Sequence, residues 1–329
     1  MNSLKRYRPA EVQKNWTGRA SSPGQYLYQK VEQANLQQEG LDIPDSFALL
    51  GYCCDAGVAR NQGRPGAVMA PAVIRSALAS RADHMAAPRR LVDVGDIYCE
   101  DDELELTQAE MSKAVEALLN AGATPIVLGG GHDLAFAHGR GVYEFLSAKQ
   151  PDLRLGILNL DAHFDLRPLV AGKGNSGTPF SQLADLMGKD KFSYCCLGIQ
   201  RLANPPELFA RAEELGVTYA FAEDCLAGKD QQTLSMLVDW LQTVDRIYLT
   251  IDIDGFAAHY APGVSAPSPF GFSPIFGQKV IQILRDSGKL LSCDLVELNP
   301  KYDIDGRTAR LAAGLITELI YEQGIRSFD

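Results

Sequence analysis

The sequence lacks any apolar run long enough to span a membrane, any excess of positive charge and any CxxC cysteine motif. No stretch approaches the roughly 20 consecutive apolar residues that a spanning helix needs. The opening residues MNSLKRYRPAEVQKNW also contain no apolar signal core. We therefore expect a cytoplasmic protein that does not contact a membrane.

The charge balance argues against a nucleic acid as a partner. Lysine and arginine total 31 against 41 aspartates and glutamates, so the formal net charge is −10. A surface that follows a phosphate backbone needs an excess of basic residues instead. The seven cysteines include no CxxC pair, and their odd number is typical of a reducing compartment rather than of a disulfide framework.

What the sequence does contain is an alternation of apolar strands and amphipathic helices from about residue 47 to the end. This alternation predicts an α/β fold. Several strands are apolar at consecutive positions, which is typical of a parallel sheet covered on both faces. The predicted strands are FALLGYC, RLVDVGD, PIVLGG, RLGILNLDA, FSYCCLGI, VTYAF, RIYLTIDID and LLSCDLVEL. We expect one domain, residues 46–329, with about eight strands, preceded by a polar leader, residues 1–45, packed on it.

Three predicted strand ends carry side chains of the types that bind metal ions in proteins. PIVLGGGHD leads through three glycines to His132, and LGILNLDAHFD carries Asp161, His163 and Asp165 at alternate positions. RIYLTIDIDGF ends in Asp252 and Asp254, which are also two positions apart.

Alternate residues of an extended segment point the same way, so these carboxylates and imidazoles should converge. Like charges at a buried strand end repel one another unless a cation lies among them. Oxygen and imidazole donors suit Mn²⁺ or a similar divalent ion, and six donors are too many for one catalytic ion. They suit two ions that share carboxylates and activate a water between them.

The motifs GGGHD, DAHFD and DIDGF, in this order, resemble those of the ureohydrolase family of arginases and agmatinases. The resemblance implies a single three-layer α/β/α domain with a binuclear manganese centre, two Mn²⁺ per chain. It assigns the metal ligands to the six residues His132, Asp161, His163, Asp165, Asp252 and Asp254. Glu297 in CDLVELNP matches the family glutamate that pairs with the cationic guanidinium or amidinium group of the substrate.

Three further stretches are similar to the formimidoylglutamase branch of this family. They are GVARNQGRPGA (57–67), SGTPF (176–180) and YAPGVSAPSP (260–269). The segment GNSGTPF has no histidine where arginases carry one. Asp133 after the first ligand and the extra His259 depart from the branch pattern without removing a ligand. The resemblance implies cleavage of N-formimidoyl-L-glutamate to glutamate and formamide, a step of histidine breakdown.

The chemistry of such a reaction suggests roles for individual residues. Asp165 is our candidate to pass a proton from the water to the departing amine, and Glu297 to orient the amidinium. The substrate also carries two carboxylates, which arginine binds well. The candidates for that contact are Arg60, Asn61, Arg64 and Arg201.

Other hypotheses about the function remain open from the sequence alone. A related ureohydrolase would act on guanidinobutyrate, agmatine or arginine and release urea. A catalytically silent, metal-binding relative and a binuclear phosphoesterase are further alternatives, although the sequence has no P-loop. The family commonly forms trimers or hexamers, so a homo-oligomer is expected. The single histidines His84, His138 and His259 are predicted to be surface or hydrogen-bonded residues rather than ligands.

Overall fold

The computed structural model describes residues 4–100 and 102–321. Within these residues one ten-stranded sheet forms the centre of the molecule. Its strands are β1 (Tyr7–Arg8), β2 (Glu32–Gln33), β3 (Ser46–Cys53), β4 (Arg90–Tyr98), β5 (Thr124–Leu128), β6 (Leu155–Leu160), β7 (Ser193–Ile199), β8 (Thr218–Phe221), β9 (Arg246–Asp252) and β10 (Leu290–Val296).

The strand order is β1-β4-β3-β5-β10-β9-β6-β7-β8, with β2 also paired to β4. All pairs are parallel except β1 with β4. Since β5, β10, β9 and β6 are neighbours at the centre, their carboxyl ends lie side by side at one edge of the sheet. That edge is where ligands bind in open α/β sheets.

Helices cover both faces of the sheet. They are α1 (Val12–Asn15), α2 (Ala56–Arg60), α3 (Ala70–Ala79), α4 (Leu104–Asn120), α5 (Leu134–Lys149), α6 (Pro179–Met187), α7 (Pro206–Leu215), α8 (Gln231–Leu241), α9 (Pro274–Ser287) and α10 (Arg307–Ile320). The buried side chains of α4 to α7 belong to one hydrophobic cluster, and those of α3 and α8 to α10 belong to another. The sheet separates the two clusters, so the architecture has three layers.

The central strands are apolar at consecutive positions because both of their faces are covered. Every residue of β3 and β6 is buried. The prediction of an α/β domain with a mostly parallel sheet is therefore confirmed, and all eight predicted strands are present. The two additional strands, β1 and β2, are two-residue segments in the polar leader that the hydrophobic pattern did not indicate.

The leader packs against the edge of the sheet through a buried polar contact. Trp16 is buried, and its Nε1 donates to Asp93 Oδ2 at 2.8 Å. Arg75 on α3 bridges Asp93 and Asp96 with side-chain distances of 2.8 and 2.6 Å.

No helix in the described ranges is both long enough and apolar enough to cross a bilayer.

Candidate metal centre

The six predicted ligands meet at the carboxyl ends of the central strands. His132 follows β5, the segment Asp161 to Asp165 follows β6, and Asp252 ends β9. Side chains that are far apart in the sequence converge here because parallel neighbouring strands end at the same edge. The donors form two groups, which we call the inner and the outer ligand group.

The inner ligand group consists of His132, Asp161, Asp165 and Asp252. The Nδ1 atom of His132 lies 3.2 Å from Asp161 Oδ2, 2.9 Å from Asp165 Oδ2 and 3.0 Å from Asp252 Oδ2. The His132 side chain is only 1% exposed.

The outer ligand group consists of Asp161, His163 and Asp254. The Nδ1 atom of His163 lies 3.3 Å from Asp161 Oδ1 and 3.5 Å from Asp254 Oδ1. The His163 side chain is 27% exposed, so this group faces the opening. Asp161 offers one oxygen to each group, as a carboxylate shared by two ions would.

The donor atoms in each group lie within 4.8 Å of one another. In the described part of the chain, His132 Nδ1 and Asp254 Oδ1 are buried without a hydrogen bond of good geometry. Buried polar atoms are normally paired, but His132 Nδ1 faces three carboxylates and Asp254 Oδ1 lies 3.5 Å from His163 Nδ1. A divalent cation would satisfy both atoms and neutralise the carboxylates, so the residues fit the metal centre that the motifs predict.

Electrostatics support the same conclusion. Burial opposes a charged His132, but the carboxylates of Asp161, Asp165 and Asp252 outweigh it and raise the pKa of His132 well above its usual value. Burial, together with Asp254 and Asp161, raises the pKa of Asp252. Without a cation the buried carboxylates cannot all be ionised at once. The cluster must therefore keep some protons.

The loop after β6 brings its ligands together in a different way from the one predicted. The strand ends at Leu160, and Asp165 has a φ of +49°. An extended segment therefore does not carry the donors; a bend does. The His163 backbone N–H donates to Asp161 Oδ1 at 2.7 Å and fixes this bend. The period of two in the sequence singled out side chains that do lie close together, but a bend and not an extended segment brings them there.

The glycine-rich turn after β5 is shaped by a close approach of two backbones. A Cβ at Gly130 would lie 1.8 Å from the Cys54 carbonyl oxygen, so a side chain does not fit there. The turn places the His132 N–H 2.8 Å from Glu297 Oε1, to which it donates. Glu297 follows β10 with a φ of +65° and donates its own N–H to the Gly130 carbonyl oxygen at 2.9 Å.

Two further polar side chains form hydrogen bonds to predicted metal ligands. Thr250 Oγ1 lies 3.0 Å from His132 Nε2, on the side of the ring opposite the carboxylates. Asn159 Nδ2 donates to Asp161 Oδ2 at 3.0 Å. Such partners set the tautomer and orientation of metal ligands. Neither was identified from the sequence, although each lies two residues before a predicted ligand along the chain.

A cavity of about 250 Å³ opens above the donors. Its lining includes Asn61, which was predicted to bind substrate, and Glu297, together with both histidines and the carboxylates Asp165, Asp252 and Asp254. Burial and the nearby Asp254 raise the pKa of Glu297 to about 8. A cationic group entering the cavity would stabilise its ionised form.

The three arginines predicted to bind substrate do not line this cavity. Arg60 forms an ion pair with Glu105 at 2.6 Å. Arg64 donates to the carbonyl oxygens of Ser265 and Val264 at 2.9 and 2.5 Å. Their guanidinium groups are engaged by contacts within the chain.

Arg201 stands on the ring of Phe221, with its Cζ 3.5 Å from the ring centroid, and its side chain is 63% exposed. It lies in a neighbouring surface groove rather than over the metal donors. Substrate contact by Arg60, Arg64 and Arg201 stays a prediction that their positions do not favour.

Arg167 lines the cavity, although it was not among the residues predicted to bind substrate. Its backbone N–H donates to the Gly177 carbonyl oxygen at 2.9 Å, and its side chain passes close to Gly177 beside Asn61. No carboxylate of the described residues forms an ion pair with it. The signal was available in DAHFDLR, where Arg167 continues the alternate positions 161, 163 and 165.

Comparison with known proteins agrees with these motifs. Residues 45–321 match the model of the arginase family. A formimidoylglutamase of Geobacillus thermodenitrificans is 42% identical over 319 residues, which cover 95% of this chain and 97% of that protein. A formimidoylglutamase of Legionella pneumophila is 42% identical over 323 residues, covering 97% and 98%.

Solved structures share the fold. The formimidoylglutamase of Bacillus subtilis superposes with a TM-score of 0.78 at 21% identity, over 92% of this chain and 93% of that one. A variant of Trypanosoma cruzi formiminoglutamase, determined with Mn²⁺, superposes with a TM-score of 0.75 at 26% identity, over 86% and 94%. With the family model covering most of its length and relatives matching it almost end to end, the chain belongs to the arginase family.

Proposed function

We propose that the protein hydrolyses N-formimidoyl-L-glutamate to glutamate and formamide, using two manganese ions held by the inner and outer ligand groups. Relatives that are 42% identical along nearly the whole chain are formimidoylglutamases. A related structure at 26% identity was determined with Mn²⁺. This activity would place the protein in histidine degradation.

The observation that carries the proposal is the polarity of the cavity. Among its lining residues Glu297, Asp252 and Asp254 are buried, whereas Arg167 is exposed, so the deep end is acidic and the outer end carries a cation. Formimidoylglutamate has the matching polarity, because a cationic amidinium stands at one end and two carboxylates at the other. Agmatine has a second cation where the carboxylates would be, so Arg167 disfavours it.

Glu297 would bind and orient the amidinium. Its Oε1 accepts the His132 N–H, which holds the carboxylate in place above the donors. The second oxygen is left to pair with an N–H of the substrate in a charge-assisted hydrogen bond. The cationic substrate therefore also supplies the charge that favours the ionised Glu297.

The reaction adds one water across the amidine carbon. Two divalent ions bound here supply charge that lowers the pKa of a water and so make it nucleophilic at neutral pH. Asp165 lines the cavity, and burial raises its pKa, so it can hold a proton between steps. It would accept one proton of the water and give it to the leaving nitrogen as the C–N bond breaks. The second proton of the water leaves the hydroxyl as the C=O bond of formamide forms, and it completes the ammonium of glutamate.

The proposal is tested by product analysis. Manganese-loaded enzyme is incubated in parallel with formimidoylglutamate, guanidinobutyrate, agmatine and arginine, and the products are identified. We expect formamide and glutamate from the first substrate only, with activity removed by a chelator and restored by Mn²⁺. Release of urea from a guanidino compound, without formamide from formimidoylglutamate, would replace this proposal with a ureohydrolase activity.

A further inference from the structure

The loop after β6 that carries His163 is held by a side chain from a different strand end. That side chain is Asn204, which follows β7 and is only 3% exposed. Its Oδ1 accepts the Phe164 backbone N–H at 3.0 Å, and its Nδ2 donates to the Ala162 carbonyl oxygen at 2.9 Å. These two backbone groups belong to the peptide groups on either side of His163.

The Asn204 amide has both of its donor protons engaged within the chain. Its Nδ2 also donates to the Gln200 carbonyl oxygen, 2.8 Å away in the turn that follows β7. An amide has two N–H donors, so neither is left for a substrate even though Asn204 lines the cavity. An exchange of the amide oxygen and nitrogen would set donor against donor and acceptor against acceptor, so the three partners fix its orientation.

Asn204 is itself attached to a rigid stretch of backbone. Two prolines follow it, and α7 begins at the second of them, Pro206. Pro205 has a φ of −66°, the value that its ring imposes, and the backbone of a residue before proline is restricted as well. Asn204 therefore has little freedom to follow the loop if the loop moves.

The two carboxylates that this loop contributes to the inner ligand group have other attachments. The Asp161 N–H donates to the Leu197 carbonyl oxygen at 3.0 Å, and Asp161 Oδ2 accepts from Asn159. The Asp165 carbonyl oxygen accepts the Phe180 N–H at 3.3 Å. Neither end of the loop depends on Asn204 alone.

His163, in the middle of the loop, has weaker attachments of its own. Its N–H donates to Asp161 Oδ1 within the same loop, and its carbonyl oxygen lies 3.5 Å from Cys196 Sγ, a weak donor. Its Nδ1 faces Asp161 and Asp254, and its Nε2 forms no hydrogen bond with the described part of the chain. The direction of the ring is therefore set by the backbone on which it stands.

Other contacts to the same backbone do not replace Asn204. The Gln200 N–H donates to the Ala162 carbonyl oxygen at 3.0 Å, and the Tyr194 hydroxyl donates to the Phe164 carbonyl oxygen at 3.1 Å. The Phe164 N–H, however, has Asn204 Oδ1 as its acceptor. Phe164 is fully buried, and a buried N–H without an acceptor is costly. Without that acceptor, the peptide group that joins His163 to Phe164 should rotate and carry the imidazole with it.

We propose that Asn204 is a positioning residue for His163. By holding the two peptide groups that adjoin His163, it sets the direction of the imidazole toward the ion of the outer ligand group. Loss of the Asn204 amide should therefore weaken binding of the outer ion and leave the inner ion in place. The inference rests on the metal-binding part of the proposed function.

The test follows Mn²⁺ binding to the metal-free protein, measured from the electron paramagnetic resonance signal of free Mn²⁺. Asn204→Leu keeps a similar volume and removes the amide. The dissociation constant of the outer ion should rise about 10- to 100-fold, the range found for residues that orient metal ligands, while that of the inner ion stays at its wild-type value. Equal weakening of both ions, or of neither, would overturn the proposal.

The matched control is Asn299→Leu. Asn299 is also buried, and its amide also joins two backbone groups, because Nδ2 donates to the Arg64 carbonyl oxygen at 2.7 Å and Oδ1 accepts the Lys301 N–H at 3.2 Å. This variant should lose stability in urea as Asn204→Leu does, but it should bind both ions with wild-type affinity. The same loss of the outer ion in this control would show general loosening and overturn the proposal.

A double variant shows whether Asn204 acts through His163. His163→Ala should bind a single ion with the affinity of the inner group, and the addition of Asn204→Leu should leave that affinity unchanged. A further loss in the double variant would overturn the proposal. If the leucine variants do not fold, Asn204→Ser serves in the same series, because its short side chain cannot span both peptide groups.

The position of Asn204 in the cavity lining makes a direct substrate contact the competing explanation. At a Mn²⁺ concentration that fills the outer group of the Asn204→Leu variant, the KM for formimidoylglutamate should match that of the wild type. A raised KM with unchanged Mn²⁺ affinities would assign Asn204 to substrate binding and overturn the positioning role.

This inference and the proposed function can fail separately. A wild-type protein that binds no Mn²⁺ would contradict the proposed metal centre. A wild-type protein with two ions whose affinities are unchanged by Asn204→Leu would contradict only the positioning role. Selective loss of the outer ion in a protein that releases no formamide would contradict only the proposed substrate.

Discussion

The inner and outer ligand groups share Asp161, but their histidines differ in burial and in the contacts that orient them. His132 is 1% exposed, its N–H donates to Glu297, and its Nε2 contacts Thr250. His163 is 27% exposed and faces the cavity. An ion in the inner group would find its ligand oriented in advance, whereas the outer group is open to water and to substrate. The difference between the groups makes several expectations testable.

The largest effect is expected where the two groups meet. Asp161→Ala removes the carboxylate shared by both groups, so neither ion should be retained and activity should fall at least about a thousandfold, roughly 4 kcal/mol of transition-state stabilisation. Metal content and kcat/KM measure this. The exposed Asp239→Ala on α8 is the matched control and should behave like the wild type. Two bound ions in the Asp161 variant would show that the carboxylate is not shared.

The second-largest effect should distinguish the outer ligand group from the inner one. His163→Ala leaves the outer group with two carboxylates, so the manganese content should fall from about two to about one ion per chain while the inner ion stays. Elemental analysis after gel filtration measures the content. His259→Ala, which removes a histidine outside both groups, should keep both ions. Loss of the inner ion together with the outer one would mean that the two groups do not bind independently.

An effect of intermediate size is expected on the free energy of unfolding of the metal-free protein as the pH changes. The pKa of Glu297 is about 8 in the folded chain and 4.5 when unperturbed. Between these values the folded state binds more protons than the unfolded state, so the free energy of unfolding falls as the pH rises. Glu297 should account for a loss on the order of 2 kcal/mol between pH 6 and 8.

Urea unfolding of chelator-treated protein at both pH values measures this loss. The Glu297→Gln variant should show a flatter dependence, whereas the control Glu144→Gln, at an exposed ion pair with Arg140, should follow the wild type. Equal pH dependence in all three proteins would contradict the raised pKa of Glu297.

The smallest effect is expected at the rim, beyond the outer group. Arg167→Ala removes a guanidinium of the cavity lining that has no ion pair with the described residues, so the KM for formimidoylglutamate should rise about tenfold, near 1.4 kcal/mol, with kcat little changed. Arg60→Ala and Arg201→Ala are the controls and should leave the KM unchanged, since neither lines the cavity. A raised KM in the controls and not in Arg167→Ala would restore the carboxylate contact first predicted from the sequence.

The fold and the metal donors were within reach of sequence reasoning for a physical reason. Consecutive apolar residues indicate strands covered on both faces, and parallel strands end at a common edge. The donors of GGGHD, DAHFD and DIDGF therefore had to approach one another, whatever the exact bend of each loop. That is why the ligand set could be predicted even though Asp165 has a left-handed backbone conformation instead of an extended one.

The arginines illustrate the opposite case. Arg60 and Arg64 in GVARNQGRPGA were candidates because arginine binds carboxylates well, and both lie in the glycine-rich loop after the first predicted strand. Arg60 turns to Glu105, which lies 45 residues further along the chain, and Arg64 turns to the carbonyl oxygen of Ser265. Only contacts between distant segments decide which guanidinium remains available.

The sequence by itself determined the layered α/β fold and the six donors, because both follow from local patterns repeated at strand ends. Tertiary structure alone decided that Arg167 lines the cavity and that Thr250 Oγ1 lies 3.0 Å from His132 Nε2. The reason is that these contacts depend on the directions of side chains, which are set by partners brought together only when the sheet has formed.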